Sequence, residues 1–182
     1  MDEWLPIVDK NGNVQGRALR SICHNGSFLL HPVVHLHLFN SEGELCLQKR
    51  ASTKDIQPNK WDTAVGGHIG ENESIEVALK RETFEELGVE NFVFQKAFSY
   101  TFRSAVEYEL INVFVACYDG QINFDEQEIS DVRFWNFNEI ISMKGSNVFT
   151  PNFEQEFDRL QEFLMSEKLS IFLDAFYTQF IG

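Results

Sequence analysis

The chain has 182 residues, 43% of them hydrophobic and 18 of them Phe, enough for one domain with a substantial core and too short for two comfortable ones. Its formal net charge of −13 at pH 7 would repel nucleic-acid polymers and anionic membrane surfaces, yet it admits a small phosphorylated substrate, because a divalent cation can reverse the local field. No apolar stretch has the length of a membrane span, Met1-Asp2-Glu3-Trp4 lacks the basic start of a secretion signal, and three cysteines (Cys23, Cys46, Cys117) without a Cys-x-x-Cys pair fit a reduced, cytoplasmic protein.

In chain order, residues 8–14 read as a short hairpin turning at Asn11-Gly12. Residues 33–39 alternate imperfectly and predict a strand, with a turn at Asn40-Ser41-Glu42-Gly43 and an antiparallel partner at 44–50. A further short strand is expected at 61–65. Asn72 is the expected cap of a helix over 73–87, with Gly88 as its stop. Strands follow at 92–103, 107–118 and 131–137. Beyond residue 152, Phe153, Phe157, Leu160 and Leu164 recur at helical spacing, and 171–180 suggests a second helix. Strands mixed with helices on their faces imply a layered α+β domain.

Within the helix over 73–87, Glu82, Glu85 and Glu86 stand at i, i+3 and i+4, within an arc of roughly 100°. Three carboxylates so placed repel one another unless something neutralises them. Mg²⁺ suits the task, since it takes oxygen ligands and shares its shell with phosphate. Gly66-Gly67 allows close backbone approach, so a carbonyl there could complete such a site. The plain alternative is a solvated acidic helix face.

Context decides against that alternative. From Gly67, five residues precede Glu73 and seven more precede Arg81-Glu82; Thr83-Phe84, Glu85-Glu86, Leu87, Gly88 and Val89 follow. This run, residues 67–89, resembles the Nudix box, Gly-x5-Glu-x7-Arg-Glu-U-x-Glu-Glu-x-Gly-U with U a bulky aliphatic residue. Only Thr83, at a packing position, departs from it. The resemblance implies a Nudix α/β/α sandwich with a mixed sheet and C-terminal helices, a single domain over 1–182 whose core spans about 30–145. It also implies Mg²⁺ or Mn²⁺ held by Glu82, Glu85, Glu86 and the Gly66 carbonyl. Glu73 and Arg81 would form an ion pair bracing loop against helix, with Gly67 and Gly88 as structural glycines of the box. The chemistry implied is attack of water on a phosphorus of a nucleoside or other organic diphosphate linked to X. Glu82, Glu109 and Glu128 are the candidates for general base.

A second constellation lies around the box. With His24, His31, His68 and Glu107-Tyr108-Glu109, the chain from about residue 7 to 137 is also similar to isopentenyl diphosphate isomerases, which share the Nudix fold. In that family three histidines and two glutamates hold a metal; the matching residues here are His24, His31, His68, Glu107 and Glu109. A His₃Glu₂ set suits a transition metal better than Mg²⁺. The isomerases also need a cysteine just before the Gly-His pair, and this chain has Gly66 there. With an intact box and no such cysteine, the resemblance points to a hydrolase in the isomerase-like branch. Arg50 and Lys54 resemble that family's diphosphate contacts, and Arg suits a bidentate grip on phosphate. The alternative for Lys49, Arg50 and Lys54 is ordinary surface charge, and Trp61 reads as core or pocket wall.

His35 and His37 share one face of a strand, and no motif claims them. The C-terminal helices read as a lid, a homodimer surface or packing against the core. Two other functions stay open: isomerase activity, disfavoured by Gly66, and a non-catalytic Nudix-fold binding module. The expected partner is a small-molecule diphosphate, with neither nucleic acid nor membrane.

Overall fold

The computed structural model describes residues 2–54 and 56–166. Strands β1 (Trp4–Val8) and β2 (Val14–Leu19) form an antiparallel hairpin longer than the expected one. The Asp9 carboxylate accepts the Asn11 and Asn13 amides across its turn, and Gly12 takes a left-handed φ of 84° there. A single helical turn, α1 (Arg20–Cys23), follows and ends on His24.

The remaining elements are β3 (Leu30–Phe39), β4 (Leu45–Arg50), β5 (Trp61–Thr63), β6 (Val65–His68), α2 (Ile75–Leu87), β7 (Phe94–Arg103), β8 (Tyr108–Cys117), β9 (Ile129–Trp135), α3 (Phe137–Met143) and α4 (Pro151–Leu164). Their strands join in one mixed sheet of order β5-β4-β3-β8-β7, with β6 on β3 and β9 on β4. β3 is buried at every position, which accounts for its imperfect alternation, since a central strand is covered on both faces.

The expected pairing of β3 with β4 survives only at Phe39↔Leu45. Beyond that point β6 takes the antiparallel place beside β3, from Val33↔His68 to Leu36↔Val65, while β4 pairs with β5 and β9. The sheet therefore splits between β4 and β6. The strand expected at 61–65 is two short strands, because each side of the split claims one.

One face of the sheet packs on α2 through Val34, Leu36, Leu38, Ala78, Leu79 and Leu87. The other packs on α4 through Phe153, Phe157 and Leu160, each at most 1% exposed. Burying side chains of this size stabilises by about 1.5–3 kcal/mol each. Thr150 caps α4 by accepting the Phe153 amide, with Pro151 at the first turn.

The start of α2 differs from expectation. Ser74, not Asn72, is the cap, and its hydroxyl accepts the Val77 amide. Asn72 instead takes φ 64° in the preceding turn, a conformation its short polar side chain tolerates. Glu73 thus stays outside the helix and is free to turn back toward it. Gly88 ends α2 in the left-handed region as expected, its amide bonded to the Phe84 carbonyl. The strand expected at 131–137 begins at Ile129 and stops at Trp135, where Asn136 caps the unforeseen α3. The helix expected at 171–180 lies outside the described residues.

Candidate active site

The split in the sheet is where the carboxylate helix presents its glutamates. Glu86 reaches the gap from α2, and both banks hold it: Gln48 of β4 donates to its Oε2 at 2.8 Å, and the Gly66 amide of β6 donates to its carboxylate. Burial, with the Glu82 charge second, pushes its pKa up to about 8. Burial raises Glu82 as well. Glu85, one turn away, is half-exposed. A Cβ on Gly67 would fall inside the Glu82 carboxylate, so glycine at 67 is what lets that side chain lie across the strand.

The expected repulsion among the three carboxylates is partly met within the protein. Arg81 Nη1 lies 2.8 Å from Glu82 and 3.0 Å from Glu85. Its Nε and Nη2 grip both oxygens of Glu73 at 2.9 Å, and Nη2 also bonds the His68 carbonyl. Glu73 Oε2 accepts the Gly70 amide in addition. The Arg81 hydrogen bond holds the Glu73 pKa below its usual value. The pair thereby fixes the loop before α2 to the helix and to β6.

At the open end of β3, the rings of His24, His31 and His68 converge, each offering a nitrogen within 4.8 Å of the others. His24 Nε2 stands 3.0 Å from His68 Nε2. Glu107 sits behind His24, its Oε2 2.9 Å from Nδ1, which orients the ring with Nε2 inward. Glu109 Oε1 is 3.9 Å from His31 Nε2. His31 is fully buried, its Nδ1 takes the Leu29 carbonyl, and its Nε2 has no hydrogen-bond partner among the described residues. A buried, orphaned imidazole nitrogen costs free energy that a cation would recover.

Burial lowers the His31 pKa, and burial with the neighbouring His31 takes His68 well below its usual value. Rings kept neutral have lone pairs for a metal. Burial and Glu107 lift Glu109 to about 7. The neutral nitrogens here, and the carboxylates of the box, suit a borderline and a hard cation respectively.

The other predicted contacts are less free than their positions in sequence suggested. Lys54 pairs with Glu128, so a candidate phosphate ligand and a candidate base neutralise each other at the surface. Arg50 donates from Nε to the Ile56 carbonyl and sets Nη1 3.6 Å from Asp62. Trp61 packs edge-on to Trp135, 5.1 Å between centroids.

Sequence reasoning assigned nothing to His35 and His37, yet both meet a buried carboxylate from α4. Glu156, 1% exposed, accepts His35 Nδ1 at 2.8 Å and the Tyr100 hydroxyl at 2.7 Å on one oxygen. His37 Nε2 lies 2.8 Å from the other oxygen, out of line for a hydrogen bond. Burial alone would lower His35, but the charge and hydrogen bond of Glu156, with the Glu109 and Asp62 charges, together outweigh it and lift the ring to about 9. The period-two spacing of the histidines was the visible signal; the glutamate lies 121 residues away in the chain.

The profile of the NUDIX domain matches residues 29–157. A protein named isopentenyl-diphosphate Delta-isomerase 2, from Photorhabdus laumondii, is 32% identical over 143 residues, 75% of this chain and 78% of its own. An uncharacterized Nudix hydrolase of Listeria monocytogenes is 30% identical over 156 residues, covering 84% and 90%. Among solved structures, one from Deinococcus radiodurans superposes with a TM-score of 0.76 at 25% identity, covering 86% of this chain and 98% of that one.

Proposed function

The chain belongs to the Nudix family, hydrolases of phosphoric anhydrides, and from that premise we propose that it cleaves the diphosphate bond of a small organic diphosphate, using the carboxylates of α2. The observation that carries this reading is the pair of partly buried carboxylates, Glu82 and Glu86, gathered at the split between β4 and β6 beside Gly66 and Gly67. Glu82, Glu85, Glu86 and the Gly66 carbonyl would hold Mg²⁺ or Mn²⁺, which when bound polarises phosphoryl oxygens and offsets the charge of the leaving phosphate. Arg81 keeps the helix in place rather than touching substrate. Glu109, partly buried with a pKa of about 7, is matched to accept the proton of the attacking water at neutral pH. Glu128 is less suited, being tied to Lys54 at the surface. Arg50 remains the phosphate contact from β4.

We assign the three histidines to a second, transition metal, with Glu109 beside them and Glu107 as the group that orients His24. Metal analysis of the purified protein tests this. His31→Ala is expected to lose most of the bound transition metal while keeping its fold, and unchanged content in the variant removes the case for the site.

For the main reading, purified protein is incubated with Mg²⁺ and a panel of nucleoside and isoprenoid diphosphates. Cleavage of at least one is expected, and none across the panel would favour a binding module instead. Isomerase activity is the weaker reading because Gly66 offers no side chain for chemistry at carbon. Among the described residues no helix is long and apolar enough to cross a membrane.

A further inference from the structure

The surroundings of Gly66 are short of groups that can donate to a diphosphate. The carboxylates there are Glu86 beside Gly66, and Glu109 and Asp62 within electrostatic reach of His35. Of the cations nearby, Arg81 is committed to Glu73, Glu82 and Glu85, Lys54 is paired with Glu128, and Arg50 already leans on Asp62. A substrate with several anionic oxygens needs more than Arg50 to be held in register.

His35 fits that need. Its Nδ1 is fixed by Glu156, which leaves Nε2 as the ring atom that can meet a ligand. The ring edge carrying Cδ2 and Nε2 lies 3.4 Å from where a Cβ on Gly66 would stand. Gly66 itself is exposed, so this edge borders open space, and no hydrogen bond to Nε2 occurs among the described residues. Glu109 and Asp62 both lie close enough to act on the ring by charge. The ring is held from behind on two sides: Glu156 also takes the Tyr100 hydroxyl, and α4 is anchored at its start by Thr150 donating to Asp62.

We propose that His35 is a substrate contact whose Nε2 binds a phosphoryl oxygen over Gly66, with Glu156 as the residue that positions it. This rests on the diphosphate reading above and adds a residue to it. It also gives the glycine at 66 a purpose here: a side chain at that position would crowd the histidine edge and close the subsite. α4 thereby supports the subsite through Glu156 as well as covering the sheet.

The two amide side chains separate a substrate contact from a structural one. Gln at 35 can place its amide near the Nε2 position and gives up the Glu156 bond; Asn can keep the Glu156 bond and gives up the Nε2 position. Binding of methylenediphosphonate with Mg²⁺, which does not require turnover, is measured calorimetrically for the wild type, His35→Ala, His35→Gln and His35→Asn, with thermal melting to verify each fold. The proposal expects Ala and Asn to weaken binding about ten-fold or more and Gln to recover most of it. Gln no tighter than Asn, or a wild type that does not bind the probe, overturns it. Turnover in the substrate panel together with Gln no tighter than Asn removes this contact and leaves the proposed hydrolysis standing.

Discussion

Glu86→Gln is expected to lower kcat/KM for diphosphate cleavage by roughly a hundred- to a thousand-fold, the usual cost of removing one charge-stabilising group from a reaction centre. The substitution keeps shape and removes charge, so it tests the carboxylate rather than the packing. Gln48 and the Gly66 amide both donate to Glu86, and a glutamine oxygen can still accept from one of them. The stability effect should run the other way. Because burial raises the Glu86 pKa from 4.5 to about 8, the metal-free fold favours its protonated form. That contribution is full below about pH 4.5 and is lost as pH rises through 8. In chelator, then, wild type and variant should melt alike near pH 5, and the variant should melt higher near pH 9. Added Mg²⁺ should raise the wild-type melting temperature at pH 9 and move the variant much less. A variant with wild-type turnover would remove Glu86 from the mechanism.

Gly67→Ala should cost nearly as much activity by a different route. The added Cβ would overlap Glu82 Cδ, Cγ and Oε1, and a flexible side chain yields by rotating away. Glu82 would then leave the position in which Arg81 and the strand hold it. Displacing a reacting group by about an ångström typically costs on the order of a hundred-fold in rate. The fold should survive, since Arg81 keeps Glu73 and the His68 carbonyl. The check is steady-state kinetics across a Mg²⁺ titration, where the variant should need more metal and stay slower at saturation. Activity within about three-fold of wild type would mean Glu82 works from another position.

The parts of the site that were legible in sequence are those set by local spacing. Glu82, Glu85 and Glu86 fall together because a helix brings i, i+3 and i+4 onto one face. Gly88 was readable as a stop because only a residue tolerant of positive φ ends a helix that way. The Glu73–Arg81 pair came with the box, although the helix begins two residues later than the box alone suggested. Ser74 and Asn72 are both good caps, and the difference is settled by the φ of 64° that the turn forces on Asn72.

What stayed hidden depends on distant partners. Strand β3 offered no clean alternation because α2 and α4 cover its two faces. The β4 strand looked like its hairpin partner, and nothing local announces that the two part after Phe39↔Leu45. That divergence creates the gap into which Glu86 points. Lys54 and Glu128 looked available until the chain brought them together. His35 and His37 had a visible period and no visible reason, since Glu156 sits in a helix whose apolar stripe gave no hint of a buried charge. A buried glutamate with three polar neighbours is a feature of the folded chain alone.

The most direct test of the account is to run the wild-type reaction in water enriched in heavy oxygen, on the diphosphates it turns over and on isopentenyl diphosphate, and to follow the products by phosphorus NMR. Hydrolysis at phosphorus predicts one heavy oxygen in a phosphate product, only when Mg²⁺ or Mn²⁺ is present, and no allylic isomer from isopentenyl diphosphate. An isomerised product with its diphosphate intact and unlabelled, or no phosphorus–oxygen cleavage with any compound, would contradict it.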